Sequence, residues 1–195
     1  MKKSFTRIFT LLLALAWGST AWGQTTYTPV ALTGFTEDII ANGAGAVSAS
    51  TTADIDGAAA TGGSGYCLMA QDYVGPNGQV PNTSGFPAST HPALETSGLI
   101  TSALNSAISY QLASYSASNA LRLYGAAATG TLAFATPRAA NELYVIGTSG
   151  NAASVLTVTV NFADGTSQVF ASQTIADWFA ASQTNVVRER LGRVS

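Results

Sequence analysis

Apolar and polar residues alternate with a period of two over most of the second half of the chain, from Ile108 onward. The clearest run is Val155–Phe162, where Leu156, Val158, Val160 and Phe162 alternate with Thr157, Thr159 and Asn161. Such alternation, rich in β-branched residues, predicts a strand with one buried and one solvated face. Asp164-Gly165 follows, a pair that tolerates the positive φ of a tight hairpin, and the chain returns through Ser167–Gln173. Three shorter runs repeat the pattern: Ile108, Tyr110 and Leu112 against Ser109 and Gln111; Leu121 and Leu123 on either side of Arg122; and Leu132 with Phe134. Glu142–Gly147 is apolar on both faces and predicts a central strand. Nothing carries a convincing helical period.

The first half reads differently. Tyr27–Phe35 opens with β-formers, but residues 41–106 are rich in Gly, Ala, Ser, Thr and Pro, and Gly75–Pro92 is the plainest loop. So long a stretch is rarely structureless in a compact domain, so short strands are expected inside it, first of all at Tyr66–Ala70. Many short strands separated by turn signals predict an all-β fold, an antiparallel β-sandwich or jelly roll. The strand-rich part is 108–173.

The amino end changes the composition that matters. Lys2, Lys3 and Arg7 precede an apolar run from Ile8 to Trp17, and Gly18–Gly23 supplies small residues. This is the plan of a secretory signal peptide over residues 1–23, bacterial in type, with cleavage expected before Gln24. The apolar run falls short of the roughly 20 residues a membrane-spanning helix needs. The expected location is therefore secreted or at the cell surface, in the periplasm or beyond. Residues 24–195 then keep five arginines, no lysine and ten acids, a net charge of −5. A chain without clustered cations is a poor partner for nucleic acid, or for an anionic membrane surface. Cys67 is the only cysteine, so no internal disulfide forms, and its apolar neighbours predict a buried thiol. It also lies too far from the signal core to be a lipid-anchoring residue.

Candidate chemistry is sparse. Asp54-Ile55-Asp56-Gly57 resembles the start of a calcium loop, but the position of the closing carboxylate, eleven residues on, is Gly65. A structural calcium at Asp54 and Asp56 is the one cofactor the sequence offers, against a plain Asp/Gly turn. His91 is the only histidine, which excludes a zinc centre of two or three imidazoles. Gly62–Tyr66 lacks the second glycine of a nucleophile elbow. No spacing among Glu37, Asp38, Glu95, Glu142, Asp164 and Asp177 selects the carboxyl pair of a glycosidase. An enzyme is not expected. Binding is, because aromatic faces with a few polar groups grip sugars. Trp178, with Phe179 beside it, Tyr73 (and Tyr66) at another loop, and Arg122 on a polar strand face are the candidate ligand residues. A single tryptophan plugging the core is the competing reading.

"YTPVALTGFTEDIIANG", "TTADIDG", "ANELYVIGTSG", "VTVNFADGTSQVF", "DWF" and "GRV" occur in this order. Together they resemble a module near the amino end of exported Bacteroidetes-type proteins. That module is similar in pattern to galactose-binding-domain-like jelly rolls, including carbohydrate-binding modules. The resemblance covers Tyr27 to the end. It implies a noncatalytic module that binds glycans or cell-surface polysaccharide, a fold that often holds structural calcium, and further domains of the same polypeptide. It also implies that "VVRERLGRV" approaches another strand, with residues 24–195 a fragment lacking the last strands. A structural spacer or assembly domain without a ligand is the alternative.

Overall fold

The computed structural model describes residues 26–56, 65–78, 93–178, 187–188 and 191–195. Residues 1–23, read above as a signal peptide, and His91 and Phe179 lie outside them. The described residues form an all-β protein of several small, mostly antiparallel sheets. Among the described residues the one α-helix, α1, is the single turn Val47–Ser50.

The centre is a three-stranded sheet of β2 (Ile40–Ala41), β3 (Cys67–Met69) and β9 (Arg193–Val194), in the order β2-β3-β9. β2 runs parallel to β3, with Ile40 opposite Leu68 and Ala41 opposite Met69. β9 runs antiparallel to it, with Cys67 opposite Val194. Successive strand residues point to opposite faces, and apart from Arg193 this sheet is apolar on both. Ile40 and Leu68 join a cluster with Ala70, Leu94, Ile100 and Tyr115. Ala41, Met69 and Val194 join Tyr73 on the other side. The expectation of a short strand at Tyr66–Ala70 is met by β3. The "GRV" segment is itself a strand, and β3 is its partner.

Around this centre lie three two-stranded units. β4 (Leu99–Thr101) and β5 (Ser109–Gln111) pair with Ile100 opposite Tyr110, both turned toward the first cluster. β1 (Leu32–Thr33) pairs with β6 (Ala133–Phe134). β7 (Ser154–Asn161) and β8 (Ser167–Ile175) form the longest hairpin. Gly165 turns it at φ 86°, and the Asp164 carboxylate accepts the Thr166 amide at 2.9 Å and its hydroxyl. The register shifts between Leu156 and Val158, and opposite this bulge Ser172 takes φ 54°. Leu156, Val158 and Val160 are half-buried, as their alternation predicts, but Phe162 is exposed.

Two expectations are corrected here. Glu142–Gly147 is not a central strand: it joins no sheet, and Val145 is 66% exposed. An isolated bridge of Ser149 with Asp177 brings its end beside β8, where Gly147 faces Ile175. The Leu121–Leu123 segment contributes only the neighbouring bridge of Ala120 with Glu37. An apolar run shows that a strand could be covered on both faces, not that a ladder is available to it.

Cys67 is buried, with its thiol directed at the Ala53 carbonyl oxygen at 3.4 Å and the Thr51 hydroxyl at 3.7 Å. Burial pushes its pKa up to about 11. The thiolate, not the thiol, is the nucleophile. Alkylation by iodoacetamide at pH 8 is therefore expected to run about a hundredfold slower in the folded chain than in urea. Equal rates in the two states would place the thiol outside the core.

Candidate functional site

Four of the sequence-selected residues, Asp54, Asp56, Arg122 and Trp178, meet in one junction built from six segments. The Asp54–Asp56 loop is anchored by the Ile55 amide, which donates to the Tyr66 carbonyl at 2.9 Å. Two glycines make room for it. A Cβ on Gly65 would strike the Asp54 side chain, and one on Gly150 would strike the Ile55 carbonyl.

Arg122 Nη2 donates to Asp54 Oδ1 at 3.2 Å in an ion pair whose side chains are 23% and 8% exposed. The Arg122 guanidinium also lies 5.3 Å from the centre of the Tyr124 ring, a cation–π contact. On the other side of the loop, Trp178 Nε1 donates to Asp56 Oδ1 at 2.7 Å. The Trp178 amide donates to the Ser149 carbonyl at 2.8 Å, and the Ser149 amide to the Ala176 carbonyl at 3.0 Å. Arg193, from β9, completes the junction with its guanidinium 4.4 Å from the Tyr66 ring centre and 5.6 Å from that of Trp178.

A second buried acid lies in the neighbouring loop. Asp38 Oδ1 accepts Asn119 Nδ2 at 2.6 Å and the Ile40 amide at 3.2 Å. Burial raises the Asp38 pKa, and these two hydrogen bonds only partly offset it. Burial also raises that of Asp56, opposed by the Trp178 hydrogen bond and the Arg193 charge and reinforced by Asp177 and Asp54.

A carboxyl raised in the folded state binds its proton more tightly there than in the unfolded chain. Its contribution to stability is therefore full below the unfolded value of about 3.8 and is lost as pH rises through the folded value. Lowering the pH from 7 toward 4 is expected to raise the urea midpoint of the Asp38→Asn, Asp56→Asn double variant less than that of the unaltered chain. Parallel pH profiles would show that the two carboxyls do not titrate this way.

The carboxylates here are engaged by donors: Asp54 by Arg122, Asp56 by Trp178, Asp38 by Asn119. A calcium ion on Asp54 and Asp56 would have to compete with the arginine and the indole for the same Oδ1 atoms. Among the described residues no group of three or more His, Cys, Asp or Glu gathers as a metal site. Trp178 is half-buried within the junction. Tyr73 lies elsewhere, buried in the second core cluster with its hydroxyl donating to the Gly45 carbonyl at 3.0 Å.

Sequence reasoning passed over Tyr124, Ser149 and Arg193. Tyr124 stands two residues from Arg122, the spacing at which an extended chain returns to the same side, and that is the signal that could have found it. Arg193 and Ser149 join through pairings distant along the chain, for which no local signal exists.

The fold and the junction define an all-β protein with a polar–aromatic nexus beside its central sheet. The chain matches no family model, no curated protein and no solved structure. No helix among the described residues is long and apolar enough to cross a membrane.

Proposed function

We propose that this chain is a noncatalytic, exported glycan-binding or surface-attachment module, on a galactose-binding-like jelly-roll plan, at the amino end of a larger protein. The observation that carries the reading is the outer rim of the junction. There Arg122 is fixed between the Asp54 carboxylate and the ring of Tyr124, which is 58% exposed. An exposed aromatic ring beside a guanidinium that a buried carboxylate prepositions is the equipment with which shallow sites grip sugar rings. The engagement of Asp38, Asp54 and Asp56 by their own donors supports a binding rather than a hydrolytic role, since acid–base cleavage requires a pair of carboxyls open to substrate.

A glycan array probed with the full chain tests this. Saturable binding to at least one polysaccharide is expected, weakened tenfold or more by Tyr124→Ala, as for removal of an aromatic anchor worth about 1.4 kcal/mol. Silence across the array would instead favour a structural spacer or assembly domain. That second reading draws on Trp178, whose indole is held inside the junction by Asp56 and Arg193 and is not offered as a platform.

A further inference from the structure

A second concavity lies apart from the junction, between the Thr96–Gly98 turn and the 111–116 segment, and shares no residue with it. We propose that this cleft is the seat of a neutral polyhydroxylated ligand, one or two sugar rings in size. The proposal takes its ligand class from the glycan-binding reading but places the sugar at a different site from the Arg122–Tyr124 rim.

The cleft encloses about 360 Å³, within the roughly 300–1,000 Å³ typical of small-molecule sites. Its floor is held by Tyr115, which is buried and donates its hydroxyl to the Glu95 carbonyl at 2.9 Å. On one wall Gln111 Nε2 donates to the Ser97 carbonyl at 2.9 Å and to that of Leu112 at 3.3 Å. This pins the amide and leaves its Oε1 as an acceptor. On the other, Asn42 Nδ2 donates to the Ser116 hydroxyl at 3.1 Å, which leaves the Asn42 carbonyl oxygen and the Ser116 hydroxyl proton for a ligand. Asp72 and Thr96 stand exposed at the cleft. Gly98, at φ 71°, keeps the turn close: a Cβ there would come within 2.9 Å of Gln111 Nε2.

Among the described residues no arginine or lysine lines the cleft, and Asp72 is the one charged group that does. An anionic ligand would meet repulsion with no cation to offset it. Two amide oxygens, a carboxylate and the hydroxyls of Thr96, Ser97, Ser114 and Ser116 instead form a lining in which acceptors outnumber donors. That lining complements a molecule that brings many hydroxyl donors, and a single exposed carboxylate, screened by solvent, adds little hold on a cation. With no exposed aromatic side chain in the lining, affinity rests on hydrogen bonds and is expected to be modest.

The test is saturation-transfer NMR on the full chain with lactose, maltose and cellobiose, with digalacturonic acid as the anionic probe and putrescine as the cationic one. At least one neutral disaccharide is expected to bind and neither charged probe to do so. Gln111→Ala and Asp72→Ala should each weaken that binding about tenfold, the loss of one or two hydrogen bonds. Asp72 is exposed, so Asp72→Ala should leave the thermal midpoint in place and separates lost binding from lost folding, whereas Gln111→Ala also gives up its two hydrogen bonds to the turn and should lower the midpoint slightly. Binding that survives both substitutions but is lost in Tyr124→Ala would overturn the cleft and leave the rim reading standing. Binding of putrescine or the uronate in place of the neutral sugars would overturn the ligand class. If none of the probes binds, the cleft proposal fails, whatever the glycan array shows for the rim.

Discussion

Gly150→Ala is expected to remove about 3–5 kcal/mol of stability, a large part of the roughly 5–15 kcal/mol that holds a domain together. A Cβ at this position would collide with the Ile55 carbonyl oxygen and stand 2.7 Å from its carbon and 2.9 Å from the Asp56 Cα. All of these atoms belong to the backbone, so no rotamer change relieves the contact. Overpacking of this kind costs about 1–3 kcal/mol. The remainder comes from the loop's displacement, which would break the Trp178–Asp56 hydrogen bond, a bond to a charged group worth about 1.5–3 kcal/mol. Urea unfolding followed by the emission of Trp178, the only tryptophan after residue 22, measures the loss. Gly147→Ala is the control. Its nearest neighbour is the tip of Ile175 at 3.1 Å, a flexible group that can yield, so the cost should stay below about 1 kcal/mol. Matching midpoints for the two variants would show that the Asp54–Asp56 loop is not seated against Gly150.

The same contrast between local and distant contacts explains what could be read from the sequence. β7, β8 and their turn were legible because alternation over eight or nine residues, with Asp-Gly between, is a signal that resides within the hairpin itself. β5 was legible for the same reason, with Ile108, Tyr110 and Leu112 turned inward. The central sheet was only partly legible. Two-residue strands such as Ile40–Ala41 and Arg193–Val194 are too short to show a period, and only their pairing with β3 defines them. Glu142–Gly147 misled for the converse reason: its apolarity is real, but a ladder depends on a neighbour that local pattern does not encode. The site divides in the same way. Asp54, Asp56, Arg122 and Trp178 stood out by residue type in a chain with few charges and one tryptophan after residue 22. Their joining did not, because Asp56 and Trp178 lie 122 residues apart and Asp54 and Arg122 lie 68 apart. Tyr73, an aromatic beside a loop, looked like a ligand contact, yet burial against Ala41, Met69 and Val194 makes it a core residue.

Arg193 gives the second large effect, and one with its own pH signature. Its guanidinium lies over two rings, those of Tyr66 and Trp178, and each desolvated cation–π contact is worth about 0.5–2 kcal/mol. The residue also places β9 against β3, opposite Leu68. Arg193→Ala is therefore expected to cost about 2–4 kcal/mol, with altered Trp178 emission in the folded state. Arg193→Lys should recover part of the loss, because an ammonium keeps the charge but not the planar stack. Charge enters a second time through Asp56, whose pKa Arg193 holds down against burial. Without the cation the folded-state pKa of Asp56 rises further, so the penalty is greatest at neutral pH, where the unfolded chain ionises freely, and shrinks as the pH falls and Asp56 takes up its proton. The stability gap between Arg193→Ala and the unaltered chain should thus narrow between pH 7 and pH 4, and that for Arg193→Lys should stay nearly constant. A gap for Arg193→Ala that is independent of pH would mean that the arginine stabilises the junction through its contacts with the two rings alone.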